Sequence, residues 1–205
     1  SYLMGDEFLN NISRWCLWLV DASPAVLRSM PHVMKRVEAV RVMRSSSTDA
    51  QTKKDASNPT QFQKIRQPRT PRYLAIPKVS SERRQFIPIG YLDNEVICGD
   101  KIFFVDDASL FTFGVLTSTM HNAWMRQTCG RLESRYSYSN TIVYNNYPWP
   151  GFAGEALSDK HRTAIEQAAQ AVLDARAQFA DASLADLYDP LTMPPARPPS
   201  SFSAK

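Results

Sequence analysis

Apolar positions recur with different periods along the first third of the chain. Residues 14–20 form a short aromatic and aliphatic run that ends in turn-forming residues, and this pattern predicts a buried strand. Val33, Val37 and Val40 are spaced three to four residues apart, which predicts an amphipathic helix with one apolar stripe. Residues 45–58 are polar and rich in Ser, Thr and Lys, so we expect a loop or a frayed helix end there.

Short β-branched and aromatic runs dominate the middle of the chain. Over residues 72–113 they are separated by Pro, Gly, Asn and Asp, which predicts strands with tight turns, the last of them over the LFTF run. Pro77 and Pro88 lie inside two of the runs, so we expect strand ends or sheet edges there. Helical spacing returns over residues 114–129, and the pattern over residues 131–147 predicts an extended chain again.

The C-terminal part is predicted to be helical. Ser183 caps a short LADLY turn that Pro190 ends. Before it, Ser158 is a suitable N-cap for a long helix, one face of which carries Ile165, Ala168, Ala169, Val172, Leu173 and Arg176. This face needs a packing partner, so we expect the long helix to have a structural role.

The order of the elements predicts an α+β fold. We expect a small, mostly antiparallel sheet within one domain over residues 1–150, followed by a helical appendage over residues 151–195. The proline-rich stretch 196–205 is predicted to be a disordered tail. At 205 residues, the chain is long enough to bury one core of this kind.

Charge is distributed unevenly along the chain. The net charge is +4, but residues 28–84 contain 14 Lys or Arg against 4 Asp or Glu, a local net of +10. Residues 155–189 contain 3 basic and 7 acidic side chains, a local net of −4. The basic segment suits a polyanion, because each phosphate that it neutralises releases condensed counterions. Charge alone also leaves open a solvated surface without a ligand.

Several signatures of catalysis are missing from the sequence. No GxG turn, P-loop or GxSxG elbow occurs, and the Pro-Asp dipeptide common in metal nucleases is absent. The 3 cysteines and 3 histidines lie far apart, without metal-ligand spacing. We therefore expect no catalytic site, metal or bound cofactor in this chain, and a reducing cytoplasm as its location. No apolar run is long enough to span a membrane, so no membrane partner is expected.

A segment rich in hydroxyls and guanidiniums is the first candidate for binding. In IPKVSSERRQFIPIG, Ser80, Ser81, Arg83 and Arg84 lie within five positions. These are the residue types that fix phosphate oxygens, and with Arg131 they form the predicted phosphate-contacting set. An ordinary polar hairpin turn explains the four clustered residues equally well.

The second candidate is an alternating segment. In HNAWMRQTCGRLESRYSYS, a predicted helix gives way through Gly130 to a predicted strand. On that strand Glu133, Arg135, Ser137 and Ser139 would share one wholly polar face. The alternative is a solvent-facing strand with an exposed Glu–Arg pair.

Four segments within about residues 5–195 form a distinctive combination: RWCLWL, YLAIPKVSSERRQFIPIG, FGVLTSTMHNAWMRQTCGRLESRYSYSNTIVYNNYPWP and AAQAVLDARAQFADASLADLYDPLTMPP. In order and spacing they resemble the C-terminal third of the MmeI-like (type IIL) restriction-modification proteins. In that family, one polypeptide combines a nuclease domain, an adenine methyltransferase domain with an NPPY motif, and a target-recognition region followed by helices. NPPY does not occur in this sequence, so the resemblance does not extend to catalysis.

The resemblance implies that this chain recognises a short sequence in duplex DNA through the major groove. The family's base-reading residues fall in the segment that matches residues 132–138, where Glu133, Arg135 and Ser137 occupy the variable positions. An acidic and a basic side chain together match a C·G pair, so we expect Glu133 and Arg135 to read one such pair and Ser137 a neighbouring position. S-adenosylmethionine and the flipped adenine would belong to a methyltransferase domain of the same or a neighbouring polypeptide.

Two other classes of function remain open at this point. One is a protein-interaction module that uses the C-terminal helix and the aromatic YNNYPWP corner. The other is a small enzyme built on Asp106, Asp107 and Lys101. The two carboxylates are adjacent and would face opposite sides of a strand, which argues against a shared metal ion.

Overall fold

The computed structural model describes residues 1–151 and 156–195, and these residues form two compact units. We call them the mixed unit, which comprises Ser1–Arg14 and the described residues from Pro68 onward, and the helical insert, Trp15–Gln67. The two units do not follow the predicted domain boundary near residue 150, which stays a prediction. The predicted disordered tail over residues 196–205 lies outside the described residues.

Helices and short strands occur in separate runs along the chain. None of the helices described here is long and apolar enough to cross a membrane. In chain order the elements are β1 (Tyr2–Leu3), α1 (Gly5–Asn10), α2 (Pro24–Arg28), α3 (Pro31–Ser45), α4 (Ala50–Lys54), a 3₁₀ turn (Asp55–Ser57), β2 (Arg72–Pro77), β3 (Val79–Ser80), β4 (Gly90–Asp93), β5 (Ile97–Cys98), β6 (Ile102–Asp106), α5 (Leu110–Thr117), α6 (Thr119–Thr128), β7 (Gly130–Leu132), β8 (Arg135–Ser137), a π-helical turn (Asn140–Tyr144), α7 (Asp159–Ala177) and α8 (Leu184–Tyr188).

The helical insert is built around α3. Val37 of this helix is buried, and Val33 and Val40 are half-buried, which confirms the predicted apolar stripe. The segment predicted to be a loop or a frayed helix end contains α4, because Asp49 caps a short helix there by accepting a hydrogen bond from the Thr52 amide (2.7 Å).

The predicted buried strand over residues 14–20 is wrong, because this segment has no regular secondary structure. Trp15 is 77% exposed, whereas Trp18 packs against Phe62 with ring centroids 5.6 Å apart. Within the described residues of the insert, no neighbouring strand offers the backbone partners that a strand requires. The backbone of the run forms isolated hydrogen bonds instead of a ladder, such as the one from the Ala22 amide to the Leu19 carbonyl at 3.2 Å.

Three small sheets form the β part of the described mixed unit. Two are antiparallel, with the strand orders β4–β2–β6 and β3–β8–β7, and β1 pairs with β5 in parallel. The structure therefore has the predicted α+β class, with its sheets mostly antiparallel. Pro77 is the last residue of β2 and Pro88 lies outside the strands, in agreement with the expected strand ends.

The strand β2 is buried on both faces and separates two apolar clusters. Leu74 and Ile76 belong to a cluster with residues of α5, α6 and α7. Tyr73 and Ala75 alternate with them and belong to a second cluster, which includes Phe8 of α1. Because both faces are covered, the strand is apolar at successive positions rather than at every second one.

The predicted strand over LFTF is also wrong, since this run begins α5. Ser109 caps the helix, and its Oγ accepts a hydrogen bond from the Thr112 amide (3.2 Å). Phe113 and Leu116, three residues apart on one helix face, are both 0% exposed. A short apolar run fits both a buried strand and a buried helix, so the cap and the residues that follow decide the structure.

The extended segment predicted over residues 131–147 is only partly right. β7 and β8 form a hairpin with a two-residue loop that begins with Glu133. After the hairpin, Asn140–Tyr144 forms a π-helical turn that Ser139 caps. Of the four polar residues predicted to share one strand face, only Arg135 and Ser137 lie on β8.

The helix α7 packs on α5 and closes the larger cluster. Ser158 caps it as predicted, and Ala169 on its inner face is 1% exposed. Val172 and Leu173 are partly buried against the same cluster. Ala168 was predicted on this face but is exposed. The helix has the structural role that its apolar face requires.

Gly114 of α5 lies in close contact with α7, so a larger residue there should destabilise the fold. A Cβ at Gly114 would lie 2.8 Å from Ile165 Cγ2 and 3.0 Å from the Ile165 carbonyl oxygen. We expect Gly114→Ala to lower the free energy of unfolding by about 1–3 kcal/mol, because overpacking outweighs the better helix propensity of alanine. Urea denaturation measures this quantity.

Gly5→Ala is the matched control for this prediction. Gly5 is likewise a helical glycine, the first residue of α1. A Cβ added there would lie 3.8 Å from the nearest atoms, which belong to Lys101. This variant should therefore keep the stability of the parent chain. An equal loss in both variants would contradict the role assigned to helix packing.

Candidate nucleic-acid interface

The β7–β8 hairpin presents polar side chains at an exposed tip. Its residues from 131 to 135 are all exposed. Glu133 has a φ of 57°, in the left-handed region that favours glycine. The Glu133 carboxylate accepts a hydrogen bond from Arg135 Nη2 at 2.8 Å. Because this backbone conformation costs a non-glycine residue roughly 1–2 kcal/mol, hairpin formation alone does not explain a glutamate there.

The other face of the hairpin anchors it to the mixed unit. Tyr136 and Tyr138 are 8% and 4% exposed, and they alternate with the exposed Arg135 and the half-buried Ser137. β8 also pairs with β3, and the Tyr138 amide donates to the Lys78 carbonyl at 2.8 Å. The polar face is thus held in place by two buried rings.

A buried histidine on α6 supports one of these rings. His121 Nε2 lies 3.0 Å from the Tyr138 hydroxyl, and its ring packs edge-on against Tyr147 with centroids 4.6 Å apart. His121 is 1% exposed, and burial lowers the pKa of its imidazole to about 4. Burial likewise raises the pKa of the Tyr138 phenol. Near neutral pH the pair therefore forms a hydrogen bond between neutral groups.

Three side chains hold the loop between β3 and β4. Arg83 Nη2 donates to the buried Asp189 carboxylate at 2.9 Å. Arg126 Nη1 and Asn122 Oδ1 bind backbone groups of the same loop at 2.6 Å and 2.9 Å. A hydrogen bond from the Leu191 amide, together with Arg83, holds the pKa of Asp189 below its usual range. The loop is thus tied to α6 and to the segment that follows α8.

The five predicted phosphate-contacting residues have different environments. Ser80 is 3% exposed, whereas Ser81 and Arg84 are half-buried. Arg83 and Arg131 are exposed. The guanidinium of Arg131 lies over a tyrosine ring of β8, 4.1 Å from its centroid. These residues therefore differ in how readily a DNA backbone could reach them.

Residues from both candidate segments line one cavity of about 520 Å³. Ser80, Ser81 and Arg84 form one side of it, and Leu132 and Arg135 of the hairpin form another. Five residues of α1 together with Met4, Arg14, Val79 and Lys101 complete the lining. The structure thus brings part of the predicted phosphate-contacting set next to a predicted base-reading residue. Arg83, Arg131, Glu133 and Ser137 lie outside this lining.

The residues considered for a small enzyme do not converge. Asp106 ends β6 and its carboxylate accepts a hydrogen bond from Thr70, whereas Lys101 precedes the other end of the strand and pairs with Asp100 at 3.4 Å. Asp107 follows the strand with a φ of 50°. Among residues 1–151 and 156–195, no group of three His, Cys, Asp or Glu side chains is arranged to hold a metal ion.

Four residues that support the interface were not predicted from the sequence: His121, Asn122, Arg126 and Asp189. The first three are polar residues on the side of α6 that packs inward, and Asp189 directly follows the LADLY helix. Both signals are weak in the sequence.

Comparison with known proteins identifies both parts of the chain. Residues 1–151 match the family model described as MmeI, target recognition domain, and residues 157–198 match MmeI, C-terminal domain. The chain belongs to the MmeI family. It is 36% identical over 189 residues, or 92% of its length, to DNA methyltransferase A of Bacillus subtilis (strain 168). It is 49% identical to a chain in the structure of the type IIL restriction-modification enzyme MmeI in complex with DNA, with a TM-score of 0.88 over 94% of this chain.

Membership of the MmeI family confirms the predicted resemblance, the α+β fold and the assignment as a target-recognition domain, followed by the C-terminal domain of the same family. The chain spans 25% of the solved MmeI chain and 21% of the Bacillus relative. Asp189 lies in the match to the C-terminal domain and Arg83 in the match to the target-recognition domain. Their ion pair therefore joins the two MmeI regions.

Proposed function

We propose that the chain recognises a specific short sequence in duplex DNA, with the β7–β8 hairpin in the major groove. The observation that carries the proposal is the exposed donor–acceptor pair at the tip, where Glu133 adopts a backbone conformation that hairpin formation does not favour. A two-stranded β-ribbon fits the major groove, where each base pair presents a distinct pattern of donors and acceptors. The MmeI structure to which this chain is similar is a complex with DNA, which supports the same assignment.

Glu133 and Arg135 are the proposed readers of one C·G pair. A carboxylate accepts a hydrogen bond from the cytosine amino group, and arginine donates two to guanine O6 and N7. The exposed ion pair between the two side chains is worth only about 0.2–1 kcal/mol, so base contacts can replace it readily. Ser137, on the same face of β8 as Arg135, is the proposed contact to a neighbouring base pair.

The proposed phosphate contacts lie beside the hairpin. Arg131 is exposed next to the loop, and Ser80, Ser81 and Arg84 line the cavity below it. Arg83 is already paired with Asp189, so its main contribution is to hold the loop that carries Ser81 and Arg84. Phosphate contacts of this kind fix the register of the hairpin on the duplex without selecting a sequence.

The catalytic partner is proposed to be an S-adenosylmethionine-dependent adenine-N6 methyltransferase domain of the same or a neighbouring polypeptide. That domain would bind the cofactor and flip the adenine, while this chain positions the duplex and binds no cofactor itself. Support comes from the relatives, of which this chain spans only 21% and 25%. The proposed location is the cytoplasm, which suits the three free cysteines of the described residues.

A protein-interaction role is the second candidate, and exposed apolar residues of the helical insert favour it. Trp15, Val42 and Met43 are 77%, 56% and 58% exposed. Exposed apolar residues of this size, when contiguous, mark protein contacts. Such a contact would be insensitive to a DNA competitor, whereas the DNA-binding surface proposed above would be blocked by one.

Salt dependence tests the DNA-binding proposal directly. We expect affinity for duplex DNA to fall with a log–log slope of about −4 to −5, because neutralising roughly five phosphates releases a proportional number of counterions. Fluorescence anisotropy from low to high salt, with a duplex library as competitor, gives both the slope and the preferred sequence. Affinity that does not change with salt, or that shows no sequence preference, would contradict the proposal.

A further inference from the structure

We infer that the cavity between α1, β3 and the hairpin binds one phosphodiester group of the duplex, with Ser80 and Arg84 as donors. The inference rests on the proposed function, because it requires DNA to lie against the hairpin. It assigns one defined ligand position to the cavity of about 520 Å³ that both side chains and Arg135 line.

Two buried donors in the wall of this cavity lack a partner within the described part of the chain. Ser80 is 3% exposed, and its Oγ makes no hydrogen bond there. The Nε of Arg84 is also buried and unpaired. Because buried polar atoms are nearly always satisfied, two such donors in one cavity indicate a missing acceptor. A phosphate oxygen accepts hydrogen bonds from both a hydroxyl and a guanidinium.

The charges around Arg84 favour an anion in the cavity. Burial lowers the pKa of the Arg84 guanidinium, so its charge is held where water stabilises it poorly. Two nearby carboxylates are already engaged, Asp189 by Arg83 and Glu7 by Arg14. The remaining charged side chains of the wall are Asp6, Lys101 and Arg135.

Two adjacent arginines thus have different roles. Arg83 points to Asp189 and ties the loop to the C-terminal region. Arg84, the next residue, lines the cavity and has a donor without a partner. Since both carry the same charge, a comparison of the two separates a local phosphate contact from a general loss of positive charge.

The test is a methylphosphonate scan, in which one phosphate of the duplex at a time is replaced by a neutral group. With the unaltered chain, we expect replacement at one position to weaken binding about tenfold, as for the loss of a charge-assisted hydrogen bond. Arg84→Gln should weaken binding to the natural duplex by a similar factor and should abolish the effect at that position. Arg83→Gln is the matched control: because Arg83 holds the loop, this variant should weaken binding to every duplex alike, and the effect at that position should remain.

Ser80→Ala provides a second variant that does not depend on charge. Removing an unpaired buried hydroxyl should leave the thermal unfolding temperature unchanged or slightly raised. The same variant should weaken DNA binding by roughly threefold to tenfold and reduce the effect at the scanned position. Lower stability together with an unaltered scan would instead assign Ser80 a structural role and overturn the inference.

Two further outcomes separate the possible errors. If inorganic phosphate binds the chain but the scan shows no sensitive position, the cavity takes a free anion rather than the DNA backbone, and the inference is wrong. If the unaltered chain binds DNA with a sequence preference and Arg84→Gln leaves the scan unchanged, the inference alone fails. If no duplex binds at all, the proposed function fails with it.

Discussion

Exchanging the characters of the two hairpin-tip residues, as Glu133→Lys with Arg135→Asp, is expected to invert the preferred base pair at one position from C·G to G·C. The rest of the recognised sequence should not change, because the exchange leaves Ser137 and the phosphate contacts in place. In the parent chain the Glu133 carboxylate and the Arg135 guanidinium lie 2.8 Å apart, close enough to reach the two bases of a single pair.

The expected size of this effect follows from base-edge chemistry. Each correct pairing between a side chain and a base is worth about 1–3 kcal/mol of discrimination. Two pairings change together in the exchange, so the preference between C·G and G·C should move by roughly 2–6 kcal/mol in total. The fold should tolerate the exchange, because both side chains are exposed at the hairpin tip.

Competition binding with all four base pairs at every position of the recognised sequence measures this preference. Glu133→Gly is the control, since glycine suits a φ of 57° and should preserve the hairpin, while discrimination at that base pair falls by about 1–3 kcal/mol because only the Arg135 pairing remains. If the double exchange altered overall affinity but left the preferred base pair as it was, Glu133 and Arg135 would be ordinary surface charges.

The sequence predicted correctly those features that local chemistry determines. Ser158 caps α7 because its hydroxyl accepts from the third residue along, and the stripe of α3 follows from the spacing of Val33, Val37 and Val40. Membership of the family could be predicted because whole segments match in order and spacing. The cap and the stripe each depend on residues that are close together in the chain.

The hairpin was missed because nothing in the sequence marks its loop. Two-residue hairpin loops usually contain glycine or asparagine, but here the first loop position is Glu133 with a φ of 57°. The alternating pattern continued through it, so a single strand was predicted. A residue that is unfavourable for the turn indicates that the position serves another purpose, and base reading is the purpose that we propose.

The hydrogen bonds that hold the candidate interface in place could not be predicted, because each joins residues that are distant in the sequence. Arg83 and Asp189 are 106 residues apart, and Arg126 binds a backbone carbonyl 41 residues away. Periodicity and spacing contain no information about such pairs. The sequence therefore predicted which residues could bind DNA, whereas the structure was needed to separate Arg83 from Arg84.

Acidification is expected to destabilise the chain through His121, the buried residue that supports the hairpin. The unfolded-state pKa of a histidine is about 6.5, and burial lowers that of His121 in the folded chain to about 4. Below pH 6.5 the unfolded state therefore binds a proton that the folded state does not. The stability that the neutral ring provides is complete above about pH 6.5 and is lost progressively as the pH falls towards 4.

The full loss corresponds to up to about 3 kcal/mol of unfolding free energy, since each pKa unit is worth about 1.4 kcal/mol. Protonation would place a charge on a ring whose Nε2 faces the Tyr138 hydroxyl and whose Nδ1 has no partner among the described residues. Tyr138 directly follows β8, so the same pH change should loosen the hairpin and weaken DNA binding.

Urea denaturation between pH 7 and pH 4 measures this linkage. The glutamine of His121→Gln cannot be protonated, so the number of protons taken up on unfolding in acid should fall by one and the unfolding free energy should depend less steeply on pH. We expect this variant to be less stable than the parent chain at pH 7. His32→Gln and His161→Gln remove exposed histidines and leave the buried ring in place, so both should retain the full acid dependence. If His121→Gln kept the pH dependence of the parent chain, protonation of another group would account for the loss, and the neutral His121–Tyr138 contact would not control the hairpin.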